Sequence, residues 1–176
     1  PATGLVAGLI LAIYPPAVFF DGLIQKTVLD GLLLSGLIAL IALIAMRTSW
    51  PRAIGLGLVI GLLALTRENA LIGLPVVIWW LWLRGVNWQQ AAAGVVLGAS
   101  VVLIPVGVRN LALGGRFQLT TSQLGPNLYI GNSAAANGLY VPLRPGRGSV
   151  EFERQDAVAL AEQAIGRTLR PGEVSD

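Results

Sequence analysis

Cysteine and histidine are both absent from the 176 residues. Without cysteine there is no disulfide framework, no thiolate nucleophile and no thiolate metal site. Without histidine the usual imidazole base and metal ligand are missing too, so any proton transfer falls to carboxylates. Charge is also scarce. Asp, Glu, Lys and Arg make up 12% of the chain, about half the quarter typical of soluble domains, which is too little to coat a water-facing surface. What is present in excess is apolar: 55% of the residues are hydrophobic and the mean hydropathy is +0.72. The 22 glycines and 10 prolines do not oppose a membrane reading, because both residues are commoner in transmembrane helices than in soluble ones.

The charge is unevenly placed. Residues 1–112 hold six basic residues (Lys26, Arg47, Arg52, Arg67, Arg84, Arg109) and three acids (Asp21, Asp30, Glu68), whereas residues 113–176 hold six arginines and six acids. This predicts a mainly α protein with a polytopic transmembrane region over 1–112, followed by part of a small α+β polar domain over 113–176. The isoelectric point of about 10.0 comes from isolated cations at hydrophobic boundaries and not from a basic face, which argues against nucleic acid. The opening apolar run has no basic leader and is not a signal peptide. With an end at Val174-Ser175-Asp176 that suits a helix cap, the chain reads as an internal piece of a longer protein.

Five hydrophobic segments are expected: Ala2 to Phe20, kinked at Pro15-Pro16, then about Val28 to Met46, Ala53 to Thr66, Asn69 to Leu83 and about Gln90 to Val108. Asp30 reads as a cap of the second segment and Asp21 as a loop acid. The loops after the second and fourth segments carry Arg47, Arg52 and Arg84 without an acid, so they are placed in the cytoplasm, and Trp50, Trp80, Trp82 and Trp88 lie beside the same loops. The polar domain is then extracytoplasmic. Segments three and four are short for a hydrocarbon layer roughly 30 Å thick, so the Arg67-Glu68 turn is expected below the outer surface, buried in protein or lining a wet cavity. In the polar domain, Phe117 to Thr121 and Asn127 to Ile130 read as short strands. Val150 to Leu169 reads as an amphipathic helix ended by Arg170-Pro171-Gly172.

Ionisable residues inside a membrane default to function because desolvating them is costly. The Arg67-Glu68 pair is therefore the leading candidate, with Glu68 expected to hold Arg67. Lys26, Arg67 and Arg109 put three cations at the outer face, where the positive-inside rule does not ask for them, and together they suit a phosphate or pyrophosphate. Asn110 follows Arg109. Gly125-Pro-Asn127-Leu-Tyr129-Ile-Gly131-Asn132 is rich in turn residues, offers Tyr129 for stacking on a sugar, and lacks the Gly-Lys-Ser/Thr ending of a phosphate loop.

Thr66-Arg67-Glu68-Asn69-Ala70, Pro105-Val-Gly-Val-Arg109-Asn110, Phe117-Gln-Leu-Thr-Thr, the 125–132 run and Gly138-Leu-Tyr140, with Ile24-Gln25-Lys26 ahead of them, occur in an order that resembles bacterial membrane glycosyltransferases of the GT-C class. The likeness is to the dolichyl-phosphate-mannose-protein mannosyltransferase-like branch, family 39, and it spans about Tyr14 to Asp176. It implies a multi-pass protein of the bacterial inner membrane. Such a protein passes a sugar from a polyprenyl-phosphate donor to an acceptor hydroxyl on the extracytoplasmic face; no cofactor is expected, no metal-ligating residue is assigned, and the sugar, the acceptor and any metal are left open by the sequence. Lys26, Arg67 and Arg109 would help hold the lipid phosphate, and Glu68, Asn110, Tyr129 and Asn132 join them as substrate-binding candidates. The family's probable base is an acidic residue after its first transmembrane helix, which this chain does not match, so the catalytic carboxylate is expected N-terminal to it. The alternative reading is a transporter or flippase for a lipid-linked or anionic solute; a third is a non-catalytic assembly subunit.

Overall fold

The computed structural model describes residues 2–23, 26–85, 87–114, 117–120, 124–133, 136–169 and 173–175. It is mainly helical, 79%, with no strand among the described residues. The chain divides into two compact units, Pro1–Leu103 and Ile104–Asp176, a boundary nine residues ahead of the change in charge density at 112/113.

In the first unit, α1 (Ala2–Ala12) and α2 (Pro15–Gly22) meet at a 59° bend. Pro15 and Pro16 cause it, since they supply no amide hydrogens to continue α1 yet suit the first positions of a new helix. Helix α3 (Lys26–Met46) has 21 residues and α4 (Trp50–Thr66) has 17. Ser49 is extended at the N-cap of α4, with Pro51 in its first turn. A 3₁₀ turn, Glu68–Ile72, leads to α5 (Gly73–Arg84), which ends at left-handed Gly85. Helix α6 (Trp88–Gly114) has 27 residues and contains Pro105. By length and composition α3 and α6 can each cross a membrane, and the bent α1 and α2 pair makes a third candidate. Leu32, Ile38 and Met46 of α3 stand 69%, 61% and 83% exposed, an apolar surface of the kind that marks a membrane or partner interface.

The buried core of this unit joins Ile44 of α3, Ala53, Leu56 and Ile60 of α4, Val77 and Leu81 of α5, and Ala91 and Val95 of α6. Helices α4 and α6 meet through two small-residue pairs, Gly57-x3-Gly61 and Gly94-x3-Gly98. A Cβ placed on Gly57 would lie 2.0 Å from the Val95 carbonyl oxygen, and one on Gly98 would lie 2.1 Å from that of Ile54. Backbone therefore rests directly on backbone, the close approach that glycine pairs permit between apolar helices.

The end of α3 is held by arginines from elsewhere. Arg52 donates to the Leu43 carbonyl at 2.9 Å and to that of Arg47 at 2.8 Å, and Arg84 donates to the Ala45 carbonyl. Helix C-termini leave carbonyls without intrahelical donors and carry partial negative charge, so cations are favoured there. Arg84 also lies 5.6 Å over the Trp80 ring.

In the second unit, α7 (Leu124–Asn132) occupies the stretch expected to hold a strand at Asn127 to Ile130. A lone strand has no ladder to satisfy its backbone, whereas Pro126 fits a first helical turn and the Asn132 amide closes the helix end on the Leu128 carbonyl at 2.8 Å. Phe117–Thr120 is non-helical and has no strand partner among the described residues; its expected last residue, Thr121, lies outside the described residues, as do Ile24, Gln25, Arg170-Pro171-Gly172 and Asp176. Helix α8 (Val150–Ile165) ends a turn earlier than expected because Gly166 adopts the left-handed conformation, φ 75°, and its N–H closes on Glu162 at 2.8 Å. The 138–149 segment is tied to α8 by charge. Asp156, 2% exposed, lies 3.2 Å from Arg147 Nε and 3.7 Å from Arg144 Nε. Arg147 also covers the Phe152 ring at 4.5 Å, and the Tyr140 hydroxyl donates to Glu153 at 2.8 Å.

Candidate functional site

Helix α4 stops at Thr66. The Thr66 hydroxyl donates to the Leu63 carbonyl at 3.0 Å, and the next residue, Arg67, turns to extended backbone, φ −139° and ψ 104°. Its own N–H still reaches Leu63 at 2.7 Å, and its carbonyl accepts from Ala70 at 2.9 Å. Arg67 is thus pinned at the junction between a helix and a 3₁₀ turn, and its side chain reaches α3.

There its Nε donates to Asp30 Oδ2 at 2.9 Å. Asp30, 37 residues away, is thus a carboxylate that holds Arg67. One expectation is corrected: Asp30 lies in the second turn of α3, too far in to be its cap. Lys26 stands one turn earlier on the same helix, at i, i+4 spacing from Asp30. Asp30 is 18% exposed and Arg67 51%. Only Nε is used in the contact, so much of the guanidinium is left accessible. Asp30 Oδ1 is buried and has no hydrogen-bond partner among the described residues.

This pair stands at the lip of a cavity of about 350 Å³. Its other walls are Leu34 and Leu37 of α3, Ile60 and Leu63 of α4, Ala70 of the 3₁₀ turn, and Gly73 and Val77 of α5. The walls are apolar and, among the described residues, the charged lining residues are Asp30 and Arg67, an arrangement suited to a ligand with a hydrocarbon body and an anionic end.

Glu68 opens the 3₁₀ turn beside this site and is half-buried. Arg109 is exposed on α6 in the second unit. Asn110, next to it, donates its amide to the Gln118 carbonyl at 2.7 Å and to that of Thr120 at 3.4 Å, so it fastens the chain leaving α6. Tyr129, 57% exposed on α7, lines a second cavity of about 790 Å³ with Pro126, Leu143, Leu160 and Val174. Asn132 is engaged in the end of α7. The described residues contain no group of acids that could hold a metal ion.

Comparison with protein families, with curated proteins and with solved structures finds no match for this chain.

Proposed function

We propose that this chain belongs to a membrane glycosyltransferase that uses a polyprenyl-phosphate-linked sugar. The observation that carries the reading is the apolar cavity with the Arg67–Asp30 pair at its lip. A polyprenyl chain supplies hydrocarbon for Leu34, Leu37, Ile60, Leu63 and Val77, and its phosphate supplies the anion for Arg67, with Lys26 as a second point charge. Asp30 holds Nε and so fixes the guanidinium before the lipid arrives.

In this reading α1 with α2, α3, α4, α5 and α6 are five crossings, and the polar unit is extracytoplasmic. Helices α4 and α5 reach about 26 and 18 Å at 1.5 Å per residue, less than the roughly 30 Å hydrocarbon layer, which puts the turn carrying Arg67 below the membrane surface. The acceptor hydroxyl attacks the anomeric carbon as the bond from that carbon to the phosphate oxygen breaks. Polyprenyl phosphate leaves with the bonding pair, and the acceptor proton goes to a carboxylate base. Arg67 and Lys26 stabilise the charge that grows on the departing phosphate. Asp30 is engaged by Arg67 and is a positioning residue, not the base.

The test is binding of a short-chain polyprenyl phosphate to the purified chain. Arg67→Ala should weaken it by about tenfold or more, the value of one charge-assisted contact, and Arg67→Lys by less, because the point charge survives without the fork. Equal binding by wild type and Arg67→Ala refutes the proposal. The 59° break between α1 and α2 favours a second reading, a flippase for the same class of lipid, since broken helices are common at transport sites. Transbilayer movement of the lipid without sugar transfer would select it.

A further inference from the structure

At the opposite end of α3 lies a cavity of about 370 Å³, lined among others by Arg47, Ser49, Trp50, Arg84, Asn87 and Gln90. No acid is among its described lining residues, and the sequence has none from Gly31 to Arg67 or from Asn69 to Val150. The α3 carbonyls that end here carry partial negative charge, but Arg52 and Arg84 already donate to them. Arg47 is surplus to that arrangement: its guanidinium is exposed and has no hydrogen-bonded or ionic partner among the described residues. Helix α6 begins at the same place. Asn87, held at φ 49°, accepts the Ala91 N–H at 3.1 Å, and the positive end of α6 lies beside Gln90. The cavity thus has a free cation, a second guanidinium, a helix N-terminus, and amide and hydroxyl donors, with no carboxylate among its described lining residues to neutralise them.

We propose that this cavity binds a phosphate group, and that its source is the headgroup of an anionic phospholipid. Trp50 forms part of the wall and Trp88 opens α6 next to Asn87, while Trp82 stands 54% exposed on α5. Such a ring of tryptophans marks headgroup depth, and basic pockets between membrane helices take anionic headgroups. The site uses none of Lys26, Asp30 or Arg67, so it is independent of the donor reading.

The experiment is native mass spectrometry of the purified chain titrated with phosphatidylglycerol, with phosphatidylcholine, and with phosphatidylglycerol in the presence of millimolar inorganic phosphate. Phosphatidylglycerol should be retained about tenfold more tightly than phosphatidylcholine. Arg47→Gln should abolish that preference, and Arg47→Lys should keep part of it. Because Arg47 holds no other element by its side chain, the thermal melt of Arg47→Gln should match wild type, which separates loss of binding from loss of fold. Displacement of the lipid by millimolar inorganic phosphate overturns the headgroup assignment and makes free phosphate the ligand. Equal retention of the two lipids, or undiminished phosphatidylglycerol binding by Arg47→Gln, overturns the proposal.

Discussion

Gly57→Ala is the sharpest test of how the first unit is held together. The added methyl would sit 2.0 Å from the Val95 carbonyl oxygen, 2.8 Å from its carbon and 2.9 Å from the Ala99 nitrogen. All three are backbone atoms, so no side-chain rotation relieves the clash. A normal carbon to oxygen contact is about 3.3–3.6 Å, so α4 and α6 must separate by roughly 1.3–1.6 Å. That separation opens the packing of Leu56, Ile60 and Val95, each at most 1% exposed. Overpacking of this kind costs about 1–3 kcal/mol, set against a gain of about 1 kcal/mol for alanine over glycine in a helix. The control is Gly36→Ala on α3, where a Cβ meets nothing within 4 Å and only the propensity gain applies. Thermal unfolding in detergent, followed by circular dichroism, should rank Gly36→Ala at or above wild type and Gly57→Ala below it. Gly98→Ala should resemble Gly57→Ala, and the double variant should lose less than the sum, since one separation serves both. Equal melts for Gly57→Ala and Gly36→Ala would refute the claim that the two glycine pairs set the spacing of α4 and α6.

Asp156→Asn removes the buried partner of Arg144 and Arg147. The cost should fall below the about 3–5 kcal/mol of a fully buried pair, because both arginines are more than a third exposed. The readout is trypsin cleavage after Arg147, which should speed up as the 138–149 segment loosens; an unchanged rate would show that the charges do not hold it. Tyr140 supplies a pH signature. Its donation to Glu153 pushes its phenol above the ordinary value of 10.0, so the protonated form is favoured in the folded state. That contribution to stability is complete below the unfolded value and fades as pH rises through the folded one. In an alkaline absorbance titration, Tyr140→Phe should remove a late step, one above the ordinary phenol value, and narrow its stability deficit at high pH. A Tyr140→Phe titration that keeps the late step would refute the assignment.

Chain breaks were legible where local chemistry decides them. Pro15-Pro16, the Arg47-Thr48-Ser49 break ahead of Trp50-Pro51, and the Arg67 turn each fall at the place expected, because proline and charged residues act on their immediate neighbours. The α4 and α6 interface was also visible in principle, as Gly57-x3-Gly61 and Gly94-x3-Gly98, a spacing that signals close helix approach. The Asp30–Arg67 bond was not legible. Sequence proximity favoured Glu68, and only the antiparallel return of α4 along α3 brings Asp30 within reach. Helix α7 was missed for a related reason: glycine and asparagine were read as turn formers, yet in the folded chain they occupy a helix whose Tyr129 faces a cavity. Arg52 and Arg84 were read by their side of the membrane alone, although each also serves carbonyls at the end of α3.

That last arrangement bears on how the protein is made. The Ala45 carbonyl waits for Arg84, which is synthesised 39 residues later. At about 5–20 residues per second the end of α3 spends roughly 2–8 seconds without that donor. Over this interval water must serve the carbonyl, and the tip of α3 can fray. Its seating is completed only when α5 has been made, so a ribosome stalled between Arg52 and Arg84 would leave a chain whose α3 is still open at one end.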